Sequence, residues 1–311
     1  MSQDLPSLIG DELNAPVRPP VRAMAVELAR RFETAGAVLF YGSILRTGDF
    51  DGVMDFYVLT QAPRRGLRGA VGRVLWPDVS YYELEFEGRT LRAKVASMTL
   101  AQFAAAVGGR GLDTTIWTRF VQPCALVWTA SPQIGQAVSK AVAQACVTAS
   151  RFAAVVGPAK GSSLAYWQAL FRQTYAAEFR VEARGRENKI LEADPGRYEA
   201  ILPAAWRAGG LAFETLRGGE LAPQIDATEG ARLLAAWRLR RTLGKSLNLA
   251  RLAKAAFTFE GAANYAAWKI ERHTGLNVPL TPWRERHVIL ASPGVFWRLW
   301  QARRKASPRP R

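Results

Sequence analysis

The chain has 311 residues, 49% of them apolar, and carries 42 Lys and Arg against 26 Asp and Glu, a net charge of +16. That length suffices for one large or two ordinary domains, and ten Trp residues argue for packed cores rather than disorder. Two cysteines, Cys124 and Cys146, are too few for a disulfide framework, and the cationic surplus selects polyanionic partners: nucleic acid, anionic lipid or nucleotide. No apolar run reaches the roughly 18 residues of a membrane span. The first residues, with Asp4, Asp11 and Glu12, do not read as a secretory or transit signal. A cytoplasmic protein is expected, with room for peripheral association with the inner membrane.

In chain order, residues 14–20 are Pro-rich and read as a linker. Residues 21–34 have the spacing of an amphipathic helix, with Met24, Val26, Leu28 and Phe32 available for a buried side. A strand over 37–41 runs into Gly42-Ser43, and a second apolar strand carries Asp55. Residues 64–73 are basic and expected on the surface. Residues 81–97 alternate as a hairpin turning at Glu87-Gly88. Glu83, Glu85 and Glu87 share one of its faces, a solvated face by default and a metal site in the minority reading. Residues 126–128 resemble a short strand. Residues 131–175 are helical, with Pro132 at a helix start. Gly209-Gly210 and Gly218-Gly219 bracket a weakly predicted segment, 231–272 is helical and strongly basic, and 292–311 form a distinct tail. The expected domains are an N-terminal segment and linker (1–20), a mixed α/β domain (21–130), a mostly helical domain (131–290) and a basic tail (291–311).

The strand, Gly42-Ser43, strand, Asp55 arrangement has the layout of a nucleotidyltransferase active site. Glycine lets the backbone come close to a triphosphate, and the Ser43 hydroxyl with loop N–H groups can bind its phosphates. The Asp55 carboxylate can hold the Mg²⁺ that activates an α-phosphate. The plain alternative is an ordinary hairpin with a Gly-Ser turn and a solvent-facing aspartate. The only histidines, His273 and His287, lack a nearby cysteine or carboxylate cluster, which argues against zinc chemistry.

Several motifs together resemble the mitochondrial-type phosphatidate cytidylyltransferases, the translocator-assembly-and-maintenance family of soluble CDP-diacylglycerol synthases. They are Tyr41-Gly42-Ser43, Met54-Asp55-Phe56, Val79-Ser80-Tyr81-Tyr82 and Gly88-Arg89-Thr90-Leu91-Arg92, then Arg119 with Gln122-Pro123, and Glu178-Phe179-Arg180 followed by Asn188-Lys189-Ile190. The likeness covers roughly residues 35–195, and each motif alone is weak. It implies an α+β fold, a polymerase-β-like mixed-sheet domain followed by a mostly helical, winged-helix-like one; the residues themselves leave a plain helical bundle open for the back half. The implied reaction is CTP plus phosphatidic acid giving CDP-diacylglycerol and pyrophosphate, with Mg²⁺ as cofactor. Asp55 and Glu178 would be the catalytic, metal-holding carboxylates. Gly42, Ser43, Lys94, Arg119 and Lys189 would bind the nucleotide, and Arg92 and Arg180 the substrate phosphate. Glu178 stands where the family usually has Asp, and residues 196–290 match little of it. Many nucleotidyltransferases carry a second acid two residues after the first; here that position is Tyr57. A phosphomonoester nucleophile is already largely ionised near neutral pH, so a strong general base is less necessary.

Residues 295–305 supply a way for such an enzyme to reach lipid. Phe296, Leu299 and Trp300 share a helix face with Trp297 at its edge, and Arg298, Arg303, Arg304 and Lys305 ring it. That pattern suits insertion at the headgroup level of an anionic membrane; the alternative is a helix docked on the protein. The basic stretch 231–254 is open between a phosphate- or lipid-facing helix, a nucleic-acid-binding helix and a solvated face. Two other functions compete: nucleotidyl transfer to RNA or another phosphate acceptor, and a catalytically inactive protein that binds nucleic acid or lipid.

Overall fold

The computed structural model describes residues 3–64, 72, 75–177, 186–274, 279–281 and 283. Residues 35–41 are an almost unbroken apolar run, the signature of a strand covered on both faces. They form β1 (Ala35–Tyr41) inside a five-stranded sheet with β2 (Met54–Thr60), β3 (Asp78–Phe86), β4 (Arg89–Thr99) and β5 (Cys124–Thr129). The order is β3-β4-β2-β1-β5; β2 and β4 run parallel and the other pairs antiparallel. The β3–β4 hairpin turns where expected, with Glu87 (φ 51°) and Gly88 (φ 73°) both left-handed, as a two-residue turn matched to strand twist requires.

One sheet face is covered by α2 (Pro19–Arg31), whose Val21, Met24, Ala25 and Leu28 pack on Val38, Phe40, Phe56 and Val95. Val26, expected on that side, is exposed: a period of 3.6 residues carries the buried stripe from Met24 to Leu28 and past Val26. The opposite face, bearing Leu39, Tyr57 and Leu59, is covered by four helices. These are α1 (Leu5–Leu13), α4 (Leu100–Val107), α5 (Thr115–Phe120) and α6 (Pro132–Val156). Within the stretch read as N-terminal segment and linker, α1 is a helix that buries Leu5, Ile9 and Leu13. Ser131 caps α6 by accepting the Ile134 N–H, and Pro132 occupies the first turn as expected.

The back half comprises α7 (Ser163–Ala177), α8 (Arg186–Glu192), α9 (Pro195–Ala208), the hairpin β6 (Ala212–Thr215) and β7 (Leu221–Gln224), α10 (Ala227–Thr258) and α11 (Ala262–Thr274). It is therefore mostly helical, with a small hairpin in the weakly predicted segment. The basic helical stretch is two helices, broken at Gly261. Front and back halves share one core, in which Trp117, Trp167, Trp206 and Trp237 are buried together. Each indole N–H is satisfied, by Asp113 O, Tyr198 O, Ser150 O and Gln173 Oε1 respectively. The fold is α+β with a mixed sheet leading into helices, as expected. Most of 64–73, Glu178, Arg180 and the tail with Phe296, Trp297, Leu299, Trp300, Arg303 and Arg304 lie outside the described residues.

Candidate active site

Strand register builds the site. Cys124, Tyr41, Asp55, Lys94 and Tyr81 stand in one row across all five strands. Residues paired across strands project to the same face, so Asp55 and Lys94 lie side by side. Further along that face the helices close over Leu39, Tyr57 and Ala96. At the Asp55 row β1 gives way to Gly42-Ser43, and the face opens.

Gly42 has φ 95°, ψ −162°, a backbone state in which a side chain is strained. A Cβ there would stand 2.8 Å from Asp55 Oδ2 and 3.3 Å from Asp55 Cβ. The carboxylate is thus seated directly on the glycine corner, so close that a side chain at 42 would have to displace it. Ser43 follows with its side chain exposed and begins α3 (Ser43–Thr47), whose first N–H groups have no partner within the helix.

Asp55 is half-buried, and its pKa is raised. Burial is the largest cause; Lys94, Arg119 and Arg46 oppose it in that order. Lys94 is exposed by area yet surrounded by protein mass, as on the floor of a concave face. Burial lowers its pKa, Asp55 raises it, and Arg119 and Lys269 lower it. Arg119 donates to the Tyr57 hydroxyl at 3.2 Å and lies 5.3 Å from the Tyr41 ring centroid. Tyr57, where many nucleotidyltransferases have their second acid, here anchors an arginine. The corner is a carboxylate among cations, the charge pattern a nucleoside triphosphate and its metal require.

The back half reaches this face through α11. The Tyr81 N–H donates to Glu260 O at 2.8 Å, and the Tyr265 ring lies 5.4 Å from the Tyr81 ring. Arg92 pairs with Glu83 at 3.4 Å and lies 5.6 Å from the Trp268 ring. Arg272 donates to Asp51 O in the β1–β2 connection while its guanidinium lies 5.3 Å from Trp268. Helix α11 therefore spans the open rim from β3 to the loop before Asp55, and it places Lys269 within electrostatic reach of Lys94.

Of the residues singled out from sequence, Gly42, Ser43, Asp55, Lys94 and Arg119 are brought together. Arg92 lies on the same face, engaged by Glu83 and α11. Lys189 is exposed on α8, which packs on α7 and α9. Glu178 and Arg180 fall outside the described residues. Two of the three hairpin glutamates are engaged locally: Glu83 accepts from Tyr81 at 2.7 Å and Glu85 from Thr90 at 2.5 Å. Sequence reasoning missed Arg46, Lys269 and Arg272. Arg46 had a usable signal, three residues past Ser43 on α3; Lys269 and Arg272 lay unmarked within the long basic stretch.

The donor set fits Mg²⁺ held by one carboxylate plus phosphate oxygens and water, the usual arrangement for that ion in phosphate chemistry. Among the described residues no group of three His, Cys, Asp or Glu gathers as a protein-only metal cage.

No protein-family model matches the sequence, and no curated protein matches it. Among solved structures, the chain has a distant likeness to a nucleotidyltransferase-like protein from Exiguobacterium sibiricum. The identity is 12%, the TM-score 0.25, and 85% of this chain and 81% of that one are covered. A likeness so slight leaves the functional reading to rest on the corner itself.

Proposed function

We propose that the protein is a Mg²⁺-dependent nucleotidyltransferase, and more specifically a phosphatidate cytidylyltransferase that transfers CMP from CTP to phosphatidic acid. The observation that carries the nucleotidyltransferase reading is the Asp55 carboxylate seated on Gly42. Asp55 would hold the ion, which when bound neutralises phosphate charge and makes the α-phosphate more electrophilic. Gly42 and Ser43 would receive the β and γ phosphates at the open end of β1. Lys94, Arg119 and Lys269 would neutralise the triphosphate and the departing pyrophosphate. Among the described residues no ion pair draws the Asp55 carboxylate away from the corner. The acceptor's phosphate oxygen is itself the nucleophile, so the site needs positioning more than a general base.

The lipid acceptor is supported by the sequence resemblance and by α10. That helix exposes Leu239, Leu249, Leu252 and Phe257 among Arg238, Arg241 and Lys245, a combination suited to an anionic membrane surface. No described helix is long and apolar enough to cross a membrane, which fits peripheral attachment.

Incubation with labelled CTP, Mg²⁺ and phosphatidic acid in mixed micelles tests both levels. Label is expected in the lipid extract, with Asp55→Asn reducing turnover about a hundredfold or more. Label in RNA instead would overturn the lipid acceptor and leave the nucleotidyltransferase class. No turnover of any nucleotide, with salt-sensitive RNA binding, would overturn the enzyme itself.

A further inference from the structure

A second cavity lies away from the Asp55 corner, between the loop after α4, the middle of α6 and the stretch of α10 from Arg232 to Arg251. Its volume is about 1100 Å³, just above the roughly 300–1,000 Å³ of small-molecule pockets. Arg110, Arg151, Arg232, Arg240 and Arg251 line it against one lining carboxylate, Asp113. Gly42, Ser43, Asp55 and Lys94 are not among its lining residues.

Arg240 decides what this cavity is for. It is 4% exposed, and a guanidinium stays charged at any ordinary pH. Its terminal nitrogens donate to the carbonyls of Gly109 and Ala236, and it lies 4.7 Å from the Phe152 ring. No carboxylate stands at ion-pair distance from it among the described residues, and its Nε, buried, has no hydrogen-bond partner. Burial pushes its pKa down, with Asp113 opposing. A buried cation with no carboxylate at ion-pair distance is costly, and a group so perturbed beside a cavity marks a functional-site candidate.

The neighbours repeat the pattern. Arg251 pairs with Asp113 at 2.8 Å and Arg151 with Glu229 at 3.1 Å, yet the Nε of each is buried and unpartnered, as is the Trp76 indole N–H. Four buried donors, on Trp76, Arg151, Arg240 and Arg251, thus belong to residues around one space. The wall opposite α10 is Gly108-Gly109-Arg110-Gly111. Gly109 has φ 69°, and a Cβ there would stand 2.4 Å from Thr148 Cγ2. The glycine lets this loop lie close against α6 while its carbonyl holds Arg240. Backbone without side chains beside clustered guanidinium groups suits phosphate, which arginine grips with paired N–H donors.

We propose that this cavity is a second binding site, taking a phosphate-bearing anion through Arg240, Arg251 and Arg151. It is separate from the nucleotide corner and does not depend on Mg²⁺. Leu112 and Leu239 are exposed at its edge, so the phosphate can belong to a soluble molecule or to a lipid headgroup.

Calorimetric titration of the full chain with sodium pyrophosphate in EDTA, alongside flotation with phosphatidylcholine vesicles with and without phosphatidylglycerol, tests the assignment and separates the two sources. EDTA removes the metal and Lys94→Met removes a phosphate-neutralising cation of the nucleotide corner, so binding there is told apart from binding in the cavity and the outcome is independent of turnover. Saturable pyrophosphate binding, equal in wild type and Lys94→Met and weakened about tenfold or more by Arg240→Gln, supports a soluble phosphate ligand. Flotation that requires phosphatidylglycerol and Arg240, without pyrophosphate binding, supports a headgroup. Arg232→Glu, at an exposed lining position, should weaken either mode and serves if Arg240→Gln fails to fold. No binding of either probe, binding lost in Lys94→Met, or binding unchanged by both arginine variants would overturn the site.

Discussion

Asp55 shows what one residue's surroundings do to its chemistry. Burial favours the neutral acid, while Lys94, Arg119 and Arg46 favour the carboxylate; burial dominates, so the pKa lies above the ordinary value. The native state then holds the Asp55 proton over a pH range where the unfolded chain has released it. By linkage, ionised Asp55 lowers stability as pH rises from its unfolded to its folded pKa. Activity has the opposite slope, because only the carboxylate can hold a metal. The acid limb of kcat/KM should therefore lie above the ordinary aspartate value, with activity lost as pH falls through it. Lys94→Met removes the largest of the opposing charges and should move that limb to higher pH. A limb that stays in place or moves down would show that Lys94 does not act on Asp55.

At the scale of an element, α11 makes the open rim of the sheet a site. Its docking depends on Gly261, with φ 77°, where a Cβ would stand 2.5 Å from the Tyr81 carbonyl oxygen. Gly261→Ala should cost about 1–3 kcal/mol locally and release the helix start from β3. Hydrogen exchange reads this directly, since the Tyr81 N–H donates to Glu260 O and should lose protection. KM for nucleotide should rise as Lys269 and Arg272 leave their places. Unchanged protection at Tyr81 would mean that α11 is held by its rings and ion contacts alone.

At the scale of the molecule, one ion pair ties the N-terminus to both halves. Glu12 on α1 accepts from the Arg197 side chain on α9 and from the Cys124 N–H of β5 at 3.1 Å, while Arg197 donates to Val121 O at 2.9 Å. Their side chains are 18% and 9% exposed, so the pair belongs with buried ion pairs rather than surface ones. Glu12→Ala leaves a buried guanidinium and a strand N–H without their acceptor and should cost about 3–5 kcal/mol in a denaturant titration. A loss under about 1 kcal/mol would place the pair among surface contacts.

Much of this is legible along the chain. An apolar run as continuous as 35–41 has no stable place except inside a sheet, and an acid within the next such run is conspicuous because charge in a strand needs a reason. Gly42-Ser43 and Asp55 accordingly stand out by local pattern alone. Helix α1 does not, because Pro6 sits in its first turn, Pro16 follows it, and only Leu5, Ile9 and Leu13 carry its periodicity. Lys269 and Arg272 cannot be told from the other cations of a chain with 42 of them, since nothing local distinguishes a cation facing a carboxylate from one facing water. The same holds for Arg240, whose distance from Asp113, the carboxylate that shares its cavity, is set by three separate elements meeting. Local pattern, set by backbone sterics and burial period, determined the five strands of the main sheet, the helical stretches that hold α2, α6, α7, α10 and α11, and the glycine corner. Which distant side chains converge, and how far water is excluded where they do, only the tertiary structure decided, because desolvation and Coulomb energy depend on separation in space and not along the chain.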